Sequence, residues 1–387
     1  MHHNKHINII FMIFCVTIFL SIISQTGTNN IIKLLMYVGW ILVFLLTFLK
    51  NNLKINSSKF ITMYFIIIIF NLIMDIIKSI FFGYQISNLT NIMMIPLFVY
   101  LIGNNISNIL LENEIYILTR IYIISTLVLS LYIHFTYFPS LGTWFSNWEY
   151  VYSSKNSLVQ IIMISVIFLL FLKNKRKKIK KSISIIKYII SIYLIFICIL
   201  LQGRTALIGI CVIFLYVLIL KKNFSWWIIA LCLVLLVVVS PNLSNIIIHS
   251  FQLDKYTDIT YNQISSGRTL LYIKTFKEIS EHILFGIGKY YVDNFYLNIA
   301  AETGIFGFFP VVLLLTVRVK NNININSFYK DCDGLQYTWE FIGILCSIFL
   351  FVESLMEAFP PFGPGVCSCM FWLVCGYLDD IYRKELA

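Results

Sequence analysis

The stretch FITMYFIIIIFNLIMDIIKSIFF, residues 60–82, decides the fold class of this chain. It is apolar almost throughout, and it is long enough to cross the hydrocarbon core of a bilayer as a helix, which takes about 20 residues. Its two charged residues, Asp75 and Lys78, lie one helical turn apart and are predicted to neutralise each other. The stretch therefore predicts a membrane-spanning helix.

Similar runs recur along the whole chain, and we count twelve in its 387 residues. Hydrophobic residues make up 59% of the sequence and charged residues 12%, which is about half the charged fraction of a soluble domain. The runs are uniformly apolar and do not alternate with polar residues, so helices are favoured over a barrel. The sequence predicts an all-α, polytopic integral membrane protein of about 12 transmembrane helices, with residues 1–387 forming a single transmembrane domain.

Basic residues explain the formal charge of +11 without a nucleic-acid partner, because they lie in short segments between the apolar runs, as in residues 173–178. Such segments favour the cytoplasmic side of a membrane, and this places both termini in the cytoplasm. The same count places a long outer loop at residues 241–291, between helices 9 and 10. The nine cysteines form no CxxC pair and are accompanied by no histidine cluster, so no metal site is predicted.

Two Gly-Arg-Thr motifs lie on the predicted outer side, at residues 203–205 and 267–269. Either arginine alone is typical of a side chain that reaches from a helix end to the lipid headgroups. Two guanidinium groups on the same side, each able to bind phosphate oxygens in bidentate fashion, favour a pyrophosphate ligand. Arg204 and Arg268 are therefore candidate substrate-binding residues.

Further polar residues lie where predicted helices meet the outer side. Asp293 and Asn294 stand where the long loop re-enters the membrane, as a helix cap or as part of a site. Glu302 lies about 13 Å further along the helix, which places a carboxylate inside the membrane. Lys155 opens another helix, either as an interfacial anchor or as an anion ligand. An acidic pair on one face of a later helix is either solvated or binds the acceptor, namely Glu353 and Glu357.

The order of these motifs resembles the O-antigen polymerase and O-antigen ligase superfamily from about residue 150 to the C-terminus. The motifs are Lys155-Asn156 at a helix start, Gly-Arg-Thr-Ala-Leu at 203–207, an arginine in a long outer loop, Phe-Gly-Ile-Gly at 285–288, and the segment from Asp293 to Gly307. Each motif alone is weak, but their order, spacing and common side are moderately specific. The first third of the chain matches only in being apolar and helical.

The resemblance implies glycosyl transfer on the outer face of the bacterial inner membrane, with an oligosaccharide linked to undecaprenyl pyrophosphate as substrate. The arginines would bind the pyrophosphate, and no metal, nucleotide or other cofactor is required. The acceptor hydroxyl needs a base, for which Asp293, His282 and His249 are candidates. A chain-length regulator and a flippase are candidate partners. The remaining candidate substrate-binding residues are Lys155, Asn156, Asn294, Tyr296 and Glu302.

Within this resemblance, the ligases carry a histidine before the asparagine of an Asn-x-Tyr-Leu motif, whereas this chain has Asp293. The difference favours an O-antigen polymerase, which joins repeat units of a surface polysaccharide. The alternatives are an O-antigen ligase that transfers the glycan to lipid A core and, from another class, a polysaccharide flippase. A flippase should show two similar halves and charged groups along a path through many helices, whereas here the halves differ and the polar residues gather in the outer loops.

Overall fold

The computed structural model describes residues 9–24, 30–51, 58–137, 155–172, 181–221, 268–333, 338–363 and 365–386, together with the single positions 245 and 248. All regular structure within these ranges is helical. The helices are α1 Ile9–Ile23, α2 Asn30–Lys50, α3 Lys59–Phe82, α4 Leu89–Ile106, α5 Glu112–Tyr137, α6 Lys155–Phe171, α7 Lys181–Leu200, α8 Arg204–Lys221, α9 Arg268–Glu281, α10 Phe295–Asp333, α11 Trp339–Ser354 and α12 Gly365–Leu386.

Five helices in the described part of the chain are long and apolar enough to cross a membrane: Asn30–Lys50, Lys59–Phe82, Leu89–Ile106, Glu112–Thr136 and Phe295–Ser327. Four shorter apolar helices accompany them, at Ile9–Ile23, Asn156–Phe171, Ile185–Leu200 and Arg204–Leu220. The all-helical fold is thus consistent with a polytopic membrane protein, as the sequence predicts. The number of spans and the sidedness stay predictions, and the predicted segment 224–240 lies outside the described residues.

The predicted long loop also contains a regular element. Its last part forms α9, whose polar sequence RTLLYIKTFKEISE did not predict a membrane span and begins with Arg268. The helix packs against α10, to which it is joined by the segment 282–294. Arg268 therefore lies at the N-terminus of α9, and the packing of α9 against α10 fixes its position. Of the loop residues before α9, only positions 245 and 248 lie within the described residues.

Helix α10 is broken near its start, at Gly304, whose φ of 63° and ψ of −167° are not helical. Backbone of the preceding segment enters this break: the amide of Ile287 donates to the carbonyl of Ala301 at 2.9 Å, and the amide of Ile305 donates to the carbonyl of Ile283, also at 2.9 Å. A Cβ on Gly304 would lie 2.4 Å from the backbone of Leu284. The Phe-Gly-Ile-Gly segment and the glycine of Glu-Thr-Gly thus pack against each other.

Helices α4 and α12 pack along each other in the interior of the bundle. A buried ion pair also joins α10 to α12. Arg318 is 1% exposed and donates from Nη1 and Nη2 to the two carboxylate oxygens of Asp379, at 2.6 and 2.8 Å. Nη2 of Arg318 also donates to Asn322 at 2.7 Å. A bidentate pair with further hydrogen bonds is the arrangement that offsets the cost of burying charge. These contacts hold α10 and α12 together.

Candidate functional site

Three charged residues from separate parts of the chain meet at one end of α9. Nη2 of Arg268 lies 3.2 Å from Oδ2 of Asp293 and 3.5 Å from Oε1 of Glu357, and Nη1 donates to the backbone carbonyl of Met356 at 2.7 Å. Side-chain exposures are 19% for Arg268, 29% for Asp293 and 12% for Glu357, so the group is partly shielded from solvent. We call these three residues, together with Asn156, the Arg268 cluster.

Asn156 attaches the first turn of α6 to the cluster. Its amide Nδ2 donates to Oε1 of Glu357 at 2.8 Å. One turn further into α6, Gln160 donates from Nε2 to Oε2 of Glu353 at 2.8 Å. Glu353 is fully buried, which excludes the solvated face that its sequence position also allowed. The acidic pair at the end of α11 therefore faces the interior of the bundle.

Two tyrosines also hydrogen-bond Asp293. The hydroxyl of Tyr291 donates to Oδ1 of Asp293 at 2.8 Å, and the hydroxyl of Tyr272 donates to the backbone carbonyl of Asp293 at 2.7 Å. Burial, together with the adjacent carboxylate of Asp293, raises the pKa of the Tyr291 hydroxyl, so it stays a donor at neutral pH. Asp293 is thus fixed as an acceptor of hydrogen bonds and as an ion-pair partner.

Asn294 is the N-terminal cap of α10, as one of the two interpretations of its sequence position predicts. Its Oδ1 accepts a hydrogen bond from the amide of Leu297 at 3.0 Å, and its Nδ2 donates to the carbonyl of Leu355 at 2.9 Å. Two residues further on, the hydroxyl of Tyr296 accepts a hydrogen bond from Ser354 Oγ at 3.3 Å. Both side chains tie α10 to the end of α11, next to the carboxylate of Glu357.

Glu357 lies in the turn after α11, and its surroundings change its acidity. Burial and the nearby carboxylate of Asp293 raise the pKa of its carboxyl, whereas Arg268 and the hydrogen bond from Asn156 lower it, and together these effects raise the pKa to about 7. A carboxyl group with a pKa near neutrality exchanges a proton readily at physiological pH. The Arg268 cluster therefore combines an anion-binding guanidinium with a group suited to proton transfer.

The first Gly-Arg-Thr motif opens α8 beside this cluster. Arg204 is half-buried at the first position of the helix, and the adjacent Thr205 hydrogen-bonds the carboxyl of Glu353. The chain thus brings both motifs to the end of α11 that carries the acidic pair. Lys155 begins α6 next to Asn156, but its side chain lies outside the described residues.

Residues 189–312 match the O-antigen ligase family model. The match supports the O-antigen polymerase and ligase superfamily, whose members are membrane glycosyltransferase-like enzymes. It covers Arg204, Arg268 and Asp293, and it ends before Glu353 and Glu357. A comparison with curated proteins finds no significant match. The family match and the resemblance of the motifs therefore agree on the superfamily, and the same segment supplies the arginines of the site.

The structure places another candidate residue of the matched segment, Glu302, in a different cluster. Glu302 is 1% exposed; its Oε1 accepts from the amide of Tyr290 at 3.3 Å and from Asn88 at 3.5 Å, while its carbonyl accepts from Lys78 at 3.0 Å. Lys78 is also 2.9 Å from Asp75, so the predicted neutralisation of that pair is confirmed. Glu302 joins α10 to α3 and to the start of α4, and its predicted contact with substrate stays a prediction.

The two candidate histidines are placed differently. His282 follows α9, where its Nδ1 lies 3.4 Å from the hydroxyl of Tyr84 and its ring lies near Glu278 and Glu281. None of its described hydrogen bonds joins it to the Arg268 cluster, which lies at the other end of α9. His249 lies outside the described residues. Of the candidate bases, Asp293 is therefore the one that the described structure brings to Arg268.

Glu357 is the residue of the cluster that the sequence identified least clearly. The available signal was an acidic pair spaced i, i+4 at the end of an otherwise apolar helix. That spacing shows only that the two side chains share a face, and it does not show whether the face is turned to solvent. The contacts with Arg268 and Asn156 settle that point in favour of the interior.

Proposed function

We propose that this protein is an O-antigen polymerase or the equivalent enzyme for a related surface polysaccharide. It would transfer a growing glycan from undecaprenyl pyrophosphate to the distal sugar of a new carrier-linked repeat unit, on the outer face of a bacterial inner membrane. The observation that carries the proposal is the Arg268 cluster, of which Arg268 and Asp293 lie in the segment that matches the family model. It places an anion-binding group and carboxylates side by side at a helix end.

Arg268 suits the pyrophosphate because its guanidinium is already oriented. A guanidinium has five N–H donors, and phosphate oxygens match its planar geometry. The carboxylates of Asp293 and Glu357 and the carbonyl of Met356 keep the side chain at this position in the absence of substrate. A bound pyrophosphate would compete with the carboxylates for Nη2 and with the Met356 carbonyl for Nη1, and its negative charge would increase on bond cleavage. The arginine would therefore stabilise the leaving group most strongly in the transition state.

In the proposed reaction, the acceptor hydroxyl oxygen attacks the anomeric carbon of the donor sugar. The new carbon–oxygen bond forms as the bond from that carbon to the pyrophosphate oxygen breaks, and undecaprenyl pyrophosphate leaves with the electron pair. The hydroxyl proton passes to a carboxylate of the cluster. Glu357 is the better matched base because the pKa of its carboxyl is about 7. Asp293 would then orient Arg268; the assignment of Asp293 itself as the base is the alternative.

A second candidate function is the O-antigen ligase reaction, which the description of the matching family model favours. The donor and the chemistry would be the same, and only the acceptor would differ, being lipid A core. Position 293 supports the polymerase instead. The ligases carry a histidine at the corresponding position of their motif, whereas this chain has Asp293. The two reactions therefore differ in the acceptor that the protein binds.

Deletion of the gene tests the proposal. If the protein is the polymerase, lipopolysaccharide of the deletion strain should carry a single repeat unit on lipid A core, and wild-type protein should restore the long-chain ladder. Full-length polymer on the carrier together with bare core would identify the ligase. Repeat units trapped on the cytoplasmic face would identify a flippase and contradict both transferase functions.

A further inference from the structure

A separate cavity of about 540 Å³ lies beside the Arg268 cluster, between α2, the start of α4 and the turn that follows α11. Its volume is in the range of pockets that hold a small ligand, about 300–1,000 Å³. None of its lining residues belongs to the cluster itself. It is therefore a second space next to the proposed reaction centre.

Aromatic rings form much of the wall. Tyr37 and Trp40 line the cavity from α2, and Phe359 and Phe362 line it from the turn. Trp40 is 7% exposed, with its Nε1 donating to Ser21 Oγ at 3.1 Å, and this bond fixes the orientation of the ring. Fixed aromatic faces of this kind pack against apolar faces of a ligand at little entropic cost.

Amide side chains supply the polar part of the lining. Asn88 and Asn91 line the cavity from the loop before α4 and from its first turn. Behind Asn88 lies the carboxyl of Glu302, which accepts a hydrogen bond from Asn88 Nδ2 at 3.5 Å. Lys289 adds one exposed cation. Amides next to a buried carboxyl suit hydroxyl groups better than a pyrophosphate, because the carboxyl opposes a second anion while amides both donate and accept.

The cavity is connected to the cluster by a short series of contacts. Phe359 lies in its wall and meets the ring of Tyr291, with 5.9 Å between ring centroids. The hydroxyl of Tyr291 donates to Asp293, and Asp293 pairs with Arg268. A ligand in the cavity is thus separated from the proposed reaction centre by one pair of aromatic rings. The cavity and the proposed reaction centre are therefore neighbours in the structure, with Phe359 and Tyr291 packed between them.

We propose that this cavity binds a neutral sugar residue of the glycan substrate. The inference rests on the proposed function, since it assumes that a glycan reaches the Arg268 cluster. Aromatic faces would pack against the C–H surface of the sugar ring, and Asn88 and Asn91 would bind its hydroxyls. A larger groove of about 820 Å³ lies between α3 and α10, where Ile66 and Leu313 line it, but its wall lacks this combination of several aromatic rings with amides.

Photo-crosslinking tests the proposal. A photoreactive amino acid replaces Asn91 or Tyr37, two exposed lining residues on different helices, and in a matched control it replaces Ile66, which is 59% exposed in the other groove. The probe is the carrier-linked repeat unit purified from the deletion strain, labelled separately in its sugar and in its isoprenoid. Mild acid after irradiation cleaves the bond between sugar and pyrophosphate, and it therefore shows which part of the probe is attached.

At residues 91 and 37 we expect adducts that keep the sugar label and lose the isoprenoid label in acid, at several times the yield found at residue 66. Three results would each overturn the sugar site. They are adducts that keep the isoprenoid label, equal yields at all three positions, and the absence of adducts at 91 and 37 in protein that still restores polymer. Those results would leave the polymerase function intact. That function would fail separately if the deletion strain made normal polymer.

Discussion

Arg268 and Asp293 form an ion pair with 3.2 Å between Nη2 and Oδ2, and this pair joins the start of α9 to the residue preceding the cap of α10. Glu357 approaches the same Nη2 from the turn after α11 at 3.5 Å. Two carboxylates thus face one guanidinium, and the group carries one excess negative charge when all three are ionised. The excess negative charge favours the uptake of a proton by one of the carboxylates.

Substitution Arg268→Lys should reduce polymer formation about 10- to 100-fold. Lysine keeps the charge but loses the fork that contacts Asp293, Glu357 and the Met356 carbonyl, and a hydrogen bond to a charged group contributes about 1.5–3 kcal/mol. The measurement is the lipopolysaccharide ladder of the complemented deletion strain. Lys277→Arg, at a 78% exposed position of the same helix, is the matched control and should leave the ladder unchanged. A normal ladder from the Arg268→Lys strain would contradict the pyrophosphate contact.

Substitution Glu357→Gln should slow transfer by about 10²- to 10⁴-fold, the contribution typical of a general base. With wild-type protein the rate should rise as the pH increases through about 7, because Glu357 accepts a proton only in its ionised form. The charged groups that face it are Arg268, Asp293 and Glu353, and none of them is changed in the variant. The measurement is the initial rate of glycan extension by purified protein between acidic and mildly basic pH.

The Glu357→Gln variant should also lose the rise near pH 7. Glu281→Gln, at a 54% exposed position, is the control and should keep both the rate and the profile. If Glu357→Gln kept the wild-type rate and profile, Glu357 would not be the base. The assignment would then return to Asp293.

The broken start of α10 gives a prediction about stability. Gly304→Ala should lower the melting temperature of the purified protein more than Gly83→Ala does. Gly83 is in the left-handed helical region, with φ 68° and ψ 15°, where an alanine costs about 1–2 kcal/mol, whereas Gly304, with φ 63° and ψ −167°, is in a region essentially restricted to glycine. A Cβ at Gly304 would also lie 2.4 Å from the Leu284 backbone, whereas a Cβ at Gly83 would meet nothing within 4 Å. Equal melting temperatures for the two variants would contradict the close packing at Gly304.

Much of the fold could be predicted because it follows from hydropathy. The run at 60–82 coincides with α3 within a residue at its start, and the charges inside it pair as their spacing predicts. Helix α9 was harder to predict from the sequence. Its sequence is polar and gives no hydropathy signal, and the helix packs against α10. The break at Gly304 was also outside prediction, because it depends on a contact with the backbone of 283–287.

The candidate site could be predicted only in part. Sequence motifs identified Arg268 and Asp293 separately, but no local pattern shows that one donates to the other. Glu302 illustrates the opposite case: its motif lies close to Asp293 in sequence, yet its side chain faces α3 and the start of α4. Which side chains meet depends on the direction in which each one points from its helix and on contacts between distant segments. A single sequence gives only the spacing of residues along one helix.

Reconstitution of the reaction tests the central claim most directly. Purified protein in proteoliposomes receives carrier-linked repeat units from the deletion strain and no lipid A core, and the products are separated by length. The proposed function predicts a ladder of carrier-linked glycans of increasing length, whose formation is reduced with Arg268→Lys by the same factor as in the strain. A product that never exceeds one repeat unit, or transfer that occurs only after lipid A core is added, would contradict the polymerase.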